Sequence, residues 1–575
     1  MHGGNQIAEV LQRQGVNTVF TLCGGHISPI LTGCNEKGIR VVDTRHEATT
    51  VFAADAMARL SGIPGVALVT AGPGVTNTIT AIKNAQLAQS PIVIIGGATA
   101  TALKGHGALQ DIELERLLKS IVKKTFSVSR VKSIVPIFEK AFAECQSDVP
   151  GPVFIECPVD VLYPESLVRE LYKQKTHGHS LQSKILNAYL NWHVNRLFSG
   201  ADHLSLDSPK PRARRSTNPS QINTVVKKLQ VCQRPILLVG SQALLNVQSV
   251  NETAQAIISL GIPTYLTGMA RGLLGKEQDM QLHHNRRKAL KEADLVIAAG
   301  VPCDFRLNYG SHIRSKTDLI GINLSQHDLK LNRKPNLAIH ADPGDFLQQL
   351  ANHWHTKEHW QDWRSRLKQQ DTQRTVEIAQ QSTHSTKKIN PLDLFQQLNT
   401  IISDDAIIIA DGGDFVATAS YIVKPAKPLS WLDPGVFGTL GVGAGFALAA
   451  KLYHPEKPVW IIYGDGALGY SIAEFDTFVR HGVAVIALVG NDASWGQVAR
   501  DQIEILKDPV ATQLHHTDYH HVVKGFGAHG LLLEHSDSIK ETLLQAMTLS
   551  SDSKIPVLIN ALLSKSDFRK GSISM

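Results

Sequence analysis

Gly464-Asp465-Gly466 and Asn491-Asp492-Ala493-Ser494-Trp495-Gly496 are the residues of this chain best suited to hold a charged ligand. The apolar run 459–463 leads into the first turn and the run 483–489 into the second, so both read as buried strands. Between them Ile472, Phe475, Phe478 and Val479 recur at helical spacing. One β-α-β unit therefore carries an oxygen ligand at the carboxyl end of each of two parallel strands, where open α/β sheets seat their ligands. Glycines on both sides of Asp465 carry no Cβ and let a diphosphate approach the backbone closely. A carboxylate with further oxygen donors suits Mg²⁺, a hard cation that shares its coordination with phosphates. The two turns read as a metal–diphosphate clamp. A lone Gly-Asp-Gly would be turn punctuation.

Three blocks of alternating strands and helices surround this unit. The first, 1–168, has apolar runs at 16–22, 39–43, 66–70, 92–96 and 153–156. A polar stretch, 169–220, separates it from a second block, 221–354, with runs at 235–240, 263–266, 295–300 and 318–323. A second polar stretch, 355–389, precedes the third block, 390–575, with runs at 406–411 and 556–562 beside the clamp. Regular alternation predicts an α/β fold of three doubly wound parallel-sheet domains. Within the first polar stretch Leu181, Ile185, Leu186, Tyr189, Trp192 and Phe198 are spaced as on a helix. The expectation is packing on its own domain, as for any amphipathic surface helix. A membrane-surface helix would show the same spacing.

Composition agrees with an α/β enzyme of several domains. The chain has 575 residues, 43% hydrophobic and 19% charged, which excludes a disordered or fibrous chain. The net charge of +7 is dispersed, and its one dense basic cluster, Lys210-Pro-Arg-Ala-Arg-Arg215, falls in a polar stretch, so a nucleic-acid role has little support. The cysteines at 23, 34, 145, 157, 232 and 303 form no CxxC pair and are expected as reduced, buried thiols. No apolar run reaches the roughly 18 residues of a membrane span, and Met1-His-Gly-Gly is no signal peptide.

Further strand-end turns add chemistry. Val41-Val42-Asp43-Thr44-Arg45-His46-Glu47 ends a strand with a carboxylate at a helix start, where a glutamate would ordinarily compensate the helix dipole. Ala71-Gly72-Pro73-Gly74-Val75-Thr76-Asn77 is a glycine turn after a strand, without the third glycine of a dinucleotide fingerprint. Asp411-Gly412-Gly413-Asp414-Phe415 and Phe437-Gly438-Thr439-Leu440-Gly441-Val442-Gly443 are two more. The last would also allow close helix packing.

The clamp resembles the thiamine-diphosphate signature, with Asp492 in place of a second asparagine, and the resemblance extends over nearly the whole chain. It marks the acetolactate synthase / 2-hydroxyacyl-CoA lyase superfamily, built of pyrimidine, central and diphosphate domains. The resemblance implies thiamine diphosphate and Mg²⁺ as cofactors. It makes Asp465, Ser494 and either Asn491 or Asp492 the metal ligands. Gly464, Gly466, Gly413, Asp414, Asn491 and Trp495 would lie against the diphosphate side of the cofactor. Glu47 would hydrogen-bond the aminopyrimidine and promote loss of the thiazolium proton, with Gly72, Pro73 and Asn77 nearby. Gly438 and Thr439 would meet the 4′-amino group, and Leu440 would wedge under the cofactor to keep it bent. The cofactor would lie between chains, Glu47 of one copy facing Asp465 of the other, so the minimum is a homodimer and a tetramer is possible.

Gly24-Gly25-His26-Ile27-Ser28, Gln110, Gly268-Met269-Ala270-Arg271-Gly272 and Gly571-Ser572-Ile573-Ser574 are similar to the lyase branch. That branch implies cleavage of a long-chain 2-hydroxyacyl-CoA to formyl-CoA and an aldehyde one carbon shorter, in fatty acid α-oxidation. His26 and Gln110 would act at the reacting carbon, although a loop histidine satisfied by backbone is an equal reading of the residue itself. The central block, with Gly240-Ser241-Gln242 and Arg306, would take a CoA-type nucleotide, FAD or nothing. The branch also implies the endoplasmic reticulum membrane, reached only through an N-terminal anchor not seen in this sequence, and otherwise the cytoplasm. Two rivals are acetolactate synthesis from 2-oxo acids and a catalytically silent scaffold. Ser494-Trp495-Gly496-Gln497-Val498 and His26 speak against the first, and retention of Glu47 and Asp465 against the second.

Overall fold

The computed structural model describes residues 2–174, 181–201, 215–354 and 360–570. Gly571-Ser572-Ile573-Ser574 and most of the basic cluster 210–215 lie outside them. The chain forms two compact units, one of residues Met1–Ala213 with Gly435–Thr439, the other of Arg214–Pro434 with Leu440–Met575.

The first unit holds one six-stranded sheet: β1 (Thr18–Leu22), β2 (Arg40–Asp43), β3 (Gly65–Val69), β4 (Ile92–Ala98), β5 (Lys124–Ser127) and β6 (Val153–Pro158). Its order is β2-β1-β3-β4-β6-β5, and every pairing is parallel. The second unit holds two such sheets. One comprises β7 (Pro235–Val239), β8 (Thr264–Leu266), β9 (Gln281–Leu282), β10 (Leu295–Ala299), β11 (Asp318–Ile322) and β12 (Leu337–Ile339), in the order β12-β11-β10-β7-β8-β9. The other comprises β13 (Ile407–Asp411), β14 (Trp431–Leu432), β15 (Val459–Gly464), β16 (Ile486–Asn491), β17 (His529–Leu533) and β18 (Val557–Leu562), in the order β14-β13-β15-β16-β18-β17. Central strands such as β3, β4, β7 and β10 are buried along their whole length, which is why they read as continuous Val/Ile/Leu runs. Three doubly wound parallel sheets are what the alternation predicts.

The departures have a common cause. β5, β9, β12, β14 and β17 are not announced by the hydrophobic pattern, and all five lie at sheet edges. Edge strands are short, so their apolar signal is weak. β16 begins at Ile486, not at Val483. The stretch 355–389 contains the 22-residue helix Gln361–Ser382, whose Trp363, Leu367 and Ile378 are buried. Cys23 is exposed, contrary to expectation, because it follows β1 at the open end of the sheet; the other five cysteines are buried. In the helix Leu181–Phe198, Val194 and Leu197 pack inward, but Leu181, Ile185, Leu186, Tyr189 and Trp192 are 46–74% exposed. The expected packing on its own domain is therefore only half correct.

The helix Glu47–Ser61 sits tightly on β3. A Cβ at Gly65 would lie 1.9 Å from the Ala54 carbonyl oxygen. Inside this contact Arg59 donates to both Asp55 oxygens at 2.7 Å, and Ser90 and Asn84 complete the shell. Asp55 and Arg59 are both buried. Removing one member of a buried, fully bonded pair strands the other charge, at about 3–5 kcal/mol. Asp55→Ala should lose about that much in denaturant unfolding and shift the helix that begins at Glu47.

Candidate functional site

In the first unit the chemistry gathers at the carboxyl ends of β1, β3 and β4. β1 runs into Gly24-Gly25-His26, and His26 Nδ1 lies 3.2 Å from the hydroxyl of Thr70, just past β3. The approach requires small residues. A Cβ at Gly24 would meet Thr70 at 2.4 Å, and one at Gly97, in β4, would meet His26 at 2.6 Å. Burial lowers the His26 pKa, so the ring is neutral at physiological pH and can accept a proton.

Glu47 is the first residue of its helix, as the dipole-compensating reading requires, but its side chain does more. It is only 8% exposed and accepts a hydrogen bond from Asn77 Nδ2 at 3.0 Å. The cap itself is supplied by His46, whose Nδ1 accepts from the amide of Ala48. Gly72 has φ +56°, and a Cβ there would lie 2.8 Å from Cβ of Gln110. The fold thus joins Glu47 with Asn77, Gly72 with Gln110, and His26 with Thr70. Gly435–Thr439 belongs to the same unit and packs on the helix Ile79–Leu87. Gly438 takes φ +65° there.

In the second unit β13, β15 and β16 end side by side. Gly412 and Gly464 approach so closely that a Cβ on Gly412 would lie 2.8 Å from the Gly464 amide. A Cβ on Gly466 would enter the Trp495 ring at 2.4 Å. Asp465 Oδ1 accepts from the Gly466 amide, and Asp492 Oδ1 from the Ser494 amide. Burial, followed by the charge of Asp492, pushes Asp465 up to about 7. Asp492 is raised too, chiefly by burial. Asp414 lies close by and is held by Arg500 at 2.5 Å. Oδ2 of Asp465, Oδ1 of Asp414 and Oγ of Ser494 are buried without a hydrogen-bond partner.

These orphaned oxygens are what a hard cation would satisfy. Among the described residues no group of three or more His, Cys, Asp or Glu could hold a metal by itself. A cation here would therefore rely on Asp465, Asp492, a main-chain carbonyl such as that of Ser494, and phosphate oxygens. Asn491 is differently occupied. Its Nδ2 donates to the Thr517 carbonyl and to Asn560, and its Oδ1 faces His516. It ties the clamp to β18.

Asp411 plays a part that the sequence does not disclose. Fully buried at the end of β13, it accepts from the amides of Gly441 at 3.1 Å and Gly443 at 2.7 Å. This fixes the backbone immediately after Leu440 and caps the helix Val442–Tyr453. Burial pushes its pKa to about 7 against those two donors.

The second unit also contains a cavity of about 440 Å³ lined by Arg271, Arg286, Arg287, Arg569, His283 and His284, with Tyr265 and Tyr421 among its walls. Arg271 donates to the Ser420 carbonyl and Arg286 to that of Arg306. Burial, and then their mutual repulsion, lowers the pKa of Arg286, and burial lowers that of Arg271. His283 is driven to about 3 by burial and by neighbouring cations. Such a site favours anions. Residues 283–288, His-His-Asn-Arg-Arg-Lys, form a second dense basic run besides 210–215. The residues suggested for a nucleotide do not line this cavity: Gln242 bonds Asn323 and the Leu324 amide, Ser241 accepts from the Met269 amide, and Arg306, which adjoins Arg286, is held by Asp304.

Comparison with known proteins agrees with this geometry. Residues 1–117 match the thiamine pyrophosphate enzyme N-terminal TPP-binding domain, 222–350 the central domain and 411–561 the C-terminal TPP-binding domain. The chain is 48% identical to 2-hydroxyacyl-CoA lyase 2 of Danio rerio over 100% of its length and 93% of the relative's. It is 46% identical to the Homo sapiens protein of that name, over 100% and 92%. An acetolactate synthase large subunit of Mycobacterium tuberculosis is more distant, 32% identical over 98% and 96%. From one end to the other, then, the chain belongs to the thiamine pyrophosphate enzyme family, and it is a thiamine-diphosphate-dependent lyase.

Proposed function

We propose that this lyase cleaves the C1–C2 bond of a 2-hydroxyacyl-CoA, releasing formyl-CoA and an aldehyde one carbon shorter. The observation that carries the substrate class is the four-arginine cavity of the second unit, in which the charge of Arg271 bears on Arg286 and phosphates of a CoA nucleotide would supply the complement. The likeness to 2-hydroxyacyl-CoA lyases over the whole chain supports the same reading.

Thiamine diphosphate, when bound, supplies the nucleophilic carbon and the electron sink for the bond that breaks. The chain's own residues bind, orient and move protons. Gly464, Asp465, Gly466, Gly413, Asp414 and Trp495 would hold the diphosphate, with Mg²⁺ on Asp465, Asp492 and Ser494. The internal hydrogen bonds of Asn491 support Asp492 as the side-chain ligand. Glu47, fixed by Asn77, would take the pyrimidine side, with Gly72, Pro73, Gly438, Thr439 and Leu440 shaping its surroundings. His26, neutral and oriented by Thr70, would accept the 2-hydroxyl proton as the aldehyde forms, with Gln110 as a hydrogen-bonding neighbour. A homo-oligomer, at minimum a dimer, is the assembly that the likeness to thiamine pyrophosphate enzymes supports.

Purified protein with thiamine diphosphate, Mg²⁺ and a long-chain 2-hydroxyacyl-CoA should release aldehyde and formyl-CoA, and Glu47→Gln should lower the rate by about 100-fold or more. Acetolactate from pyruvate with no aldehyde would overturn the substrate assignment. Arg286→Ala should raise KM for the CoA thioester by about tenfold while changing kcat little, since it removes a charge-assisted bond made in ground state and transition state alike.

The buried carboxylates give a pH dependence of definite sign. Asp411 and Asp465 titrate near 7 in the folded chain, against 3.8 for an ordinary aspartate. Between those values the folded state binds more protons than the unfolded one, so metal-free stability falls as pH rises through that window. Mg²⁺ with thiamine diphosphate favours the ionised Asp465 and should offset part of the loss. Melting temperatures measured across the window, with and without both ligands, check this; parallel curves would refute it.

A further inference from the structure

The helix Leu181–Phe198 has two apolar faces. The inner one is anchored. Val194 and Leu197 are buried, and His193 Nε2 lies 2.7 Å from the Thr101 hydroxyl. On the opposite side Leu181, Ile185, Tyr189 and Trp192 form a stripe at helical spacing, 74%, 62%, 51% and 54% exposed. Their aromatic members are ordered against one another. Tyr189 and Trp192 rings lie 6.1 Å apart, and the Arg196 guanidinium sits 5.5 Å over Trp192.

Charge and area together say what would cover this stripe. The helix carries Lys184 and Arg196 and no acidic residue. The adjacent helix Glu165–Gln174 contributes Glu165 and Glu170, of which Glu165 is engaged by Arg169. The stripe from Leu181 to Trp192 is about 17 Å long and offers on the order of 400–500 Å², well short of the roughly 800 Å² per partner of a stable protein interface. A lipid surface needs no such area. Apolar side chains flanked by Trp, Tyr and cations can sink about 5–10 Å into the headgroup boundary.

We propose that the outward face of Leu181–Phe198 docks on an anionic lipid surface, with Leu181, Ile185, Tyr189 and Trp192 entering the boundary and Lys184 and Arg196 meeting the phosphates. This lies apart from the residues assigned to catalysis and does not depend on the substrate assigned above.

The full chain is sedimented with vesicles of phosphatidylcholine alone and with vesicles containing about one-third phosphatidylserine. Wild type should sediment several-fold more with the anionic vesicles, and the difference should shrink in high salt. The variants Ile185→Asn/Trp192→Asn and Lys184→Glu/Arg196→Glu should each lose about fivefold or more of that binding while keeping the wild-type melting temperature and lyase activity. Wild type that stays in solution, or variants that sediment as well as wild type, would overturn the proposal. So would an Ile185→Asn/Trp192→Asn variant that falls to a smaller assembly in sedimentation velocity with its vesicle binding unaltered, because the stripe would then be a contact between copies of this chain.

Discussion

Charge held where water cannot solvate it is the constraint on which the rest of this structure depends. Asp465, Asp492 and Asp414 converge at the ends of adjacent parallel strands, and two of them are raised above the ordinary aspartate range. In the same unit several arginines crowd one cavity. Buried charge is tolerated only when paired or when a ligand brings its complement. A cation beside the carboxylates and phosphates beside the arginines would each supply that complement.

Close backbone approach is the means by which such sites are made. At Gly412, Gly466 and Gly24 even a methyl group would collide with a neighbouring strand end, an aromatic ring or a threonine. These glycines lie beyond β13, β15 and β1, where the carboxyl ends of parallel strands open and successive turns can converge. Buried polar groups then lock the turns. Asp411 holds the loop after Leu440, Asn491 ties the clamp to β18, and Asp55 with Arg59 fixes the helix that presents Glu47.

Much of this was legible in the residues. β15 and β16, with Asp465 and Asp492 at their ends, follow from two apolar runs and two Gly/Asp-bearing turns, because strand burial and loop chemistry are both local signals. Edge strands such as β9 and β14, two residues each, carry too little apolar surface to be read. Asp411 was seen only as part of a turn, since its role is to accept from amides thirty residues away. The basic run at 283–288 is visible in the sequence, but only folding shows that Arg271 and Arg569 join it around one cavity.

By itself the sequence determined the α/β class, the three-sheet alternation and the strand-end turns that carry Glu47, Asp465 and Asp492, because each depends on periodicity or on a short motif at a strand end. Only the tertiary structure decided that Asn491 faces inward, that His26 rests on Thr70, that arginines distant in the chain share a cavity, and which face of Leu181–Phe198 stays exposed. Those are contacts between segments far apart in sequence, and spacing along a chain does not record which of its faces meets another.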